Sequence, residues 1–301
     1  MTGTRLITTS HGSHREAFTA LDWVFFVCIG LIWGSSFLFM AIGLDAFHPG
    51  LVTLVRVLSG AGFMTLVARS YPTVIESEDR ARIVMVSVTW VGLPMTMIPI
   101  AQQWIDSGVA GMLNGAAPIF TAILASILLR ALPGRLQVAG LVIGLAGVVA
   151  IAAPAAGSDT SALVGVVLMV IVTICYAIAF NMVVPLTQRY GAVPVMTRIL
   201  WLGTLMVLPF GLFGLTRSEF SWPSLTATVA AGLLGTGVAF ILSGTLTSRV
   251  GATRSAFVTY LIPVVALILG VVFRNEQVSA LAILGIGLVI TGAILASRRE
   301  T

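Results

Sequence analysis

Charge is what this chain has least of. Only 9% of its 301 residues are charged, against roughly 25% in a soluble globular protein, and its mean hydropathy is +1.06. Such a chain cannot cover its surface with polar groups, so its solvent must be lipid. Lysine is absent altogether. All sixteen Lys and Arg positions are arginines, scattered along the chain, so the net charge of +5 forms no patch for nucleic acid. The two cysteines, Cys28 and Cys175, lie inside apolar runs as small hydrophobes and build no disulfide framework. Three histidines and no C-x-x-C leave no metal site. A Walker motif, a nucleophile elbow and paired carboxylates are all missing, so neither ATP-driven transport, nor an enzyme, nor a cofactor is expected. No Asp or Glu falls in the middle of an apolar run; Asp22, Asp45, Asp106 and Glu276 stand at run ends. Proton-coupled carriers usually place a carboxylate within the membrane as a relay. Carboxylate-based proton coupling is therefore not expected, and a neutral or zwitterionic substrate fits better than a bare cation.

Apolar runs are what the chain has in abundance. They cover roughly 22–44, 50–69, 83–101, 108–129, 135–153, 163–184, 195–215, 226–246, 255–273 and 279–296. A span needs about 20 residues, and the runs are continuous rather than alternating, so each reads as a helix. The first is too long for a signal-peptide core and is read as uncleaved. The expected fold is an all-α integral membrane protein with ten transmembrane helices. With the N-terminus in the cytoplasm, twelve arginines fall in cytoplasmic segments and two, Arg217 and Arg274, on the other side. That bias places both termini in the cytoplasm.

The stretch from Ser107 to Ile151 lies without a gap over Ala252 to Ala296 when shifted by 145 positions, with Pro118 on Pro263, Gly140 on Gly285 and Gly147 on Gly292. Two related halves follow: a polar tail at 1–21, one five-helix unit at 22–154 and a second at 163–297. Five is odd, so the second half must enter the membrane inverted relative to the first, the arrangement that supports alternating access.

The first half carries Trp33-Gly34-Ser35-Ser36-Phe37, then Pro49 and Arg56; the second carries Arg249-Val250-Gly251-Ala252, then Pro263 and Asn275-Glu276. With these two ordered sets the chain resembles the drug/metabolite transporter superfamily, in particular its EamA-type ten-helix exporters, over about residues 22–297. Ala131 departs from the pattern, for a Glu is due there by the offset from Glu276, and Trp33 is matched only loosely by Tyr176. The resemblance implies a central cavity between the halves and a secondary transporter of the bacterial inner membrane. Its cargo would be amino acids or related small metabolites; one branch exports aromatic amino acids and paraquat. A multidrug-type efflux carrier is the alternative, and a channel or membrane enzyme the reading from another class. A monomer in the bilayer with a small-molecule substrate is expected.

Polar residues inside the runs are the candidates for substrate binding, because each costs energy in lipid unless it meets a partner or water. Arg56 could bind a substrate carboxylate, or else snorkel or cap helix carbonyls; Arg198 reads as interfacial. Asn114 lies four residues before Pro118 and Tyr260 three before Pro263. Each proline frees a carbonyl one turn earlier and kinks its helix, so the paired breaks point to the binding site, with helix packing as the plain alternative. Gln102 ends a run beside Gln103, Trp104 and Asp106, in an interfacial belt or at the cavity mouth. Trp90, Tyr176 and Trp201 could form an aromatic wall or pack against lipid. Gly140–Gly147 and Gly285–Gly292 allow close helix approach.

Overall fold

The computed structural model describes residues 7, 9–10, 18–69, 73–128, 135–156 and 160–297. Arg5, His11, His14, Arg15, Arg130, Ala131, Arg298 and Arg299 lie outside the described residues, as does 157–159 of the expected inter-half loop. The described residues are helical and contain no strand. Among the described residues, eight helices are long and apolar enough to cross a membrane: α1 (Ala20–Leu44), α2 (Pro49–Ala68), α3 (Ser77–Ala101), α4 (Ser107–Leu128), α6 (Thr160–Tyr190), α7 (Ala192–Leu215), α8 (Trp222–Val250) and α9 (Ala252–Arg274). Two further helices, α5 (Arg135–Ala156) and α10 (Ala280–Ser297), carry shorter apolar stretches, Val138–Ile151 and Ala280–Gly292.

The sequence sets these ends by local chemistry. Thr19 and Asp22 form a reciprocal capping box at the start of α1. His48 Nδ1 accepts from Gly50 N at 3.1 Å, with Pro49 opening α2 where its missing N–H costs nothing. Single glycines join α6 to α7 and α8 to α9: Gly191 at φ 82° and Gly251 at φ 86°, a region that side chains with a Cβ rarely enter. The glycine in the Arg249-Val250-Gly251-Ala252 motif is therefore required by the turn.

Close packing follows the glycines. A Cβ on Gly147 of α5 would lie 2.6 Å from Val289 N and 2.7 Å from Gly285 O of α10, so only backbone fits there. A Cβ on Gly60 of α2 would meet Gly232 O of α8 at 2.9 Å.

Four irregularities shape the interior. A wide π turn occupies Ser87–Gly92 in α3 and another Ala231–Val238 in α8. Shifting 87–92 by 145 gives 232–237, inside the second. Helix α4 breaks between Asn114 and Ala117, and α9 narrows to a 3-10 turn at Phe257–Tyr260; Asn114 plus 145 is Thr259. The two breaks touch, because the space a Cβ on Gly115 would need lies 2.6 Å from Pro263 Cγ. Wide turns and proline breaks leave backbone groups without their regular partners.

Candidate functional site

Trp90 of the wide turn in α3, and Asn114 and Thr259 at the two breaks, line one cavity. Its walls come from α1 (Trp33, Ser36, Phe37, Met40), α2 (Arg56), α3 (Trp90, Met95, Ile98), α4 (Asn114), α6 (Tyr176, Phe180), α8 (Phe240) and α9 (Thr259, Ile262). Elements from before and after residue 157 thus contribute together.

Arg56 is the single charged residue in that wall and is 3% exposed. Its Nε donates to Thr236 Oγ1 at 3.1 Å, and NH1 lies 2.8 Å from Met40 Sδ. Among the described residues no carboxylate pairs with it, and its NH2 edge has no acceptor. A guanidinium carries five donors in a planar fork suited to a carboxylate. Asn114, also 3% exposed, has no partner for its Oδ1. One unanswered cation and one unanswered acceptor therefore face the same space.

The rest of the wall is aromatic and aliphatic. Trp90 lies between Phe180 and Phe240, with ring centroids 5.1 and 5.3 Å away. Trp33 meets the same two phenylalanines edge-on at 6.4 Å each. The four rings close on themselves, two from α1 and α3, two from α6 and α8. Trp33 Nε1 donates to Gly235 O at 2.9 Å, a carbonyl of the wide turn in α8 that also holds Thr236. That turn thus orients both an aromatic wall residue and the arginine.

Of the residues singled out from the sequence, Arg56, Asn114, Trp90 and Tyr176 line the cavity, while Tyr260, Gln102 and Trp201 do not. At the break in α9 the lining residue is Thr259, one position earlier; the Tyr260 hydroxyl is buried without a partner and its ring stacks on Phe257. Gln102 Nε2 donates to Phe37 O at 3.1 Å, tying α3 to α1 behind the wall. Trp201 is 40% exposed on α7 and donates to Thr65 Oγ1. Pro118 and Pro263 are both buried at the breaks. Arg198 donates to Pro194 O and Thr73 O, away from the cavity. The sequence reading missed Phe180, Phe240 and Thr236. In an apolar chain nothing distinguishes a cavity phenylalanine from a lipid-facing one, and Thr236 reads as a small packing residue.

Both ends of the bundle are tied by polar contacts. Where α1 begins, Arg249 Nε donates to Asp22 Oδ1 at 2.6 Å. Nearby, buried Asp79 accepts from Arg82, Arg189 and Tyr190 at 2.7, 2.8 and 2.8 Å. Where α1 ends, Arg274 pairs with Asp45. There Glu276 also caps α4 from the other half of the chain, accepting from Ser107 N at 3.0 Å and Gly108 N at 2.8 Å, and from the Ser107 hydroxyl. Partial desolvation at the helix end, and then the nearby Glu276, hold the carboxyl of the exposed Asp106 above the usual carboxylate range.

Comparison with known proteins agrees with this architecture. The family described as "EamA-like transporter family" matches twice, over residues 22–153 and 163–298. "Uncharacterized transporter YdfC" of Bacillus subtilis is 29% identical over 270 residues, covering 88% of this chain and 87% of its own. A Streptantibioticus cattleyicolor protein named "Probable terminal-alkyne amino-acid exporter" is 28% identical over 274 residues, covering 89% and 90%. "Uncharacterized inner membrane transporter YedA" of Escherichia coli is 24% identical over 273 residues, covering 88% and 87%. A solved crystal structure, 19% identical, shares the fold with a TM-score of 0.63 over 93% of this chain and 97% of its own.

Proposed function

Because the chain belongs to the EamA-like transporter family, we propose that it is a secondary exporter of small carboxylate-bearing metabolites, amino acids foremost and aromatic ones among them. The family's members are transporters rather than enzymes, and the chain is a multi-pass membrane protein. The observation that carries the substrate reading is Arg56: a buried cation with no counter-ion among the described residues, lining an aromatic cavity that Asn114, with its unpartnered Oδ1, also lines. An ionisable residue kept inside a membrane bundle marks a substrate path. A carboxylate fits the free edge of the guanidinium, an N–H group fits Asn114, and an apolar side chain fits the rings.

Alternating access through this cavity is the proposed mechanism. In this reading α5 and α10 also cross the membrane, giving ten spans in two inverted halves, with both termini in the cytoplasm of a bacterial cell and the monomer as the working unit. The 145-residue recurrence of the wide turns and the breaks supports two related halves. The Asp22–Arg249 and Asp79–Arg189 contacts then fasten the cytoplasmic face, and Asp45–Arg274 with the Glu276 cap fastens the opposite one. Access to either side requires one set to part while the other holds. A multidrug carrier for apolar cations is disfavoured by Arg56, which repels them in a cavity that no carboxylate lines among the described residues.

Purified protein in liposomes, offered a panel of labelled amino acids with and without a pH gradient, tests the reading. Saturable, protein-dependent movement of amino acids down their own gradient, equal in both conditions, is expected. Non-saturating conductance, or no movement of any carboxylate-bearing compound, overturns it.

A further inference from the structure

We infer that the cavity recognises its substrate as an anion: an apolar carboxylate whose ammonium group, where one is present, is dispensable. The inference rests on the reading of this cavity as the transport site and goes further by fixing the charge of what is carried. Arg56 brings one positive charge into the wall, and the remaining polar side chains there, among them Ser36, Asn114 and Thr259, are neutral in charge or too weakly acidic to ionise. A buried charge without a partner is costly, and the cost is removed by a ligand of opposite sign.

Three ligand classes meet this wall differently. An apolar carboxylate leaves the loaded cavity neutral. A zwitterion brings its own positive charge with it, so the loaded cavity keeps a net charge of one. Asn114 Oδ1 accepts an N–H group but supplies no counter-charge. An apolar amine leaves two cations in one space. The order anion, zwitterion, cation follows from Coulomb interaction in a site walled mostly by apolar side chains. The carried charge follows as well: an apolar carboxylate leaves with one net negative charge, so an interior-negative membrane expels it without any proton relay, whereas a zwitterion moves no net charge.

Calorimetric titration of the purified wild-type protein with 3-phenylpropionate, phenylalanine and phenethylamine, which share one ring, tests this. 3-Phenylpropionate is expected to bind at least as tightly as phenylalanine, and phenethylamine not to bind. Arg56→Gln is expected to weaken both carboxylates by roughly tenfold or more, the loss of a charge-assisted contact, and Arg56→Lys to recover part of it. In proteoliposomes, an imposed interior-negative potential is expected to speed protein-dependent efflux of 3-phenylpropionate above the protein-free leak and to leave phenylalanine efflux unchanged. Binding of phenylalanine but not of 3-phenylpropionate overturns the inference, as does binding of phenethylamine as tight as that of phenylalanine. Failure of all three to bind the wild-type protein overturns the cavity reading itself. Because the probe series needs no variant, the inference stays open to refutation even where Arg56→Gln fails to fold.

Discussion

Arg56 Nε donates to Thr236 Oγ1 at 3.1 Å, across 180 positions of sequence, from α2 to the wide turn of α8. This contact holds the guanidinium of a residue that lines the cavity. Thr236→Val keeps the shape and removes the acceptor. A net hydrogen bond to a charged group is worth about 1.5–3 kcal/mol, so carboxylate affinity is expected to fall by roughly tenfold or more, while Thr236→Ser holds near wild type. Calorimetric titration with the transported amino acid measures both, and unchanged affinity in Thr236→Val removes Thr236 from the site.

The two breaks are expected to respond differently. Asn114→Ala removes an amide with an unpartnered Oδ1 from the cavity wall, and apparent affinity should fall roughly tenfold if that amide contributes about 1–2 kcal/mol. Tyr260 lies outside the wall with an unsatisfied buried hydroxyl. Tyr260→Phe should leave transport unchanged and raise stability by about 1 kcal/mol, since a buried donor without a partner is destabilising. Thermal unfolding and liposome transport on the same preparations check the pair. Impaired transport in Tyr260→Phe would extend the site along α9.

How much of this was legible beforehand depends on how rare a residue is in its surroundings. Arg56, Asn114, Trp90 and Tyr176 stand out in apolar runs, and all four line the cavity. Pro118 and Pro263 announce the breaks because proline has no N–H to give. Trp201 stands out equally and faces outward. A lipid-facing surface is as apolar as a buried one, so composition carries no direction there. Phe180 and Phe240 were illegible for the same reason. The wide turns have no sequence signal of their own, which hid the roles of Gly235 and Thr236. Glu276 was visible as a motif residue, but its partners Ser107 and Gly108 lie 169 and 168 positions away, and only the fold joins them.

That cap gives a prediction with a pH signature. Glu276→Ala strips the acceptor from two backbone N–H groups at the start of α4, and a cap of this kind is worth about 1 kcal/mol. A lower thermal midpoint is expected. Asp106 behaves in the opposite sense. Its folded pKa is raised by partial desolvation and by Glu276, an effect that solvent screens at this exposed position, so the folded state binds a proton more readily than the unfolded chain. Stability therefore falls as pH rises from the ordinary aspartate value, about 3.9, through the raised one. Asp106→Asn should stabilise the protein at neutral pH, and the gain should vanish below the ordinary aspartate pKa. A gain that persists in acid would assign it to another cause.

Topology is tested independently of the site. With both termini in the cytoplasm, a reporter active only outside the cytoplasm and fused after Thr301 should stay silent, and the same reporter in the 154–162 connection should be active. An active fusion after Thr301 would remove one of the ten proposed spans.

The central claim is that substrate carboxylates meet Arg56. Initial efflux rates of a transported amino acid from proteoliposomes, at matched amounts of folded wild-type and Arg56→Gln protein, test it most directly. The account predicts a fall in apparent affinity of roughly tenfold or more for Arg56→Gln, the free energy of one charge-assisted contact. Wild-type affinity and rate in Arg56→Gln would contradict it.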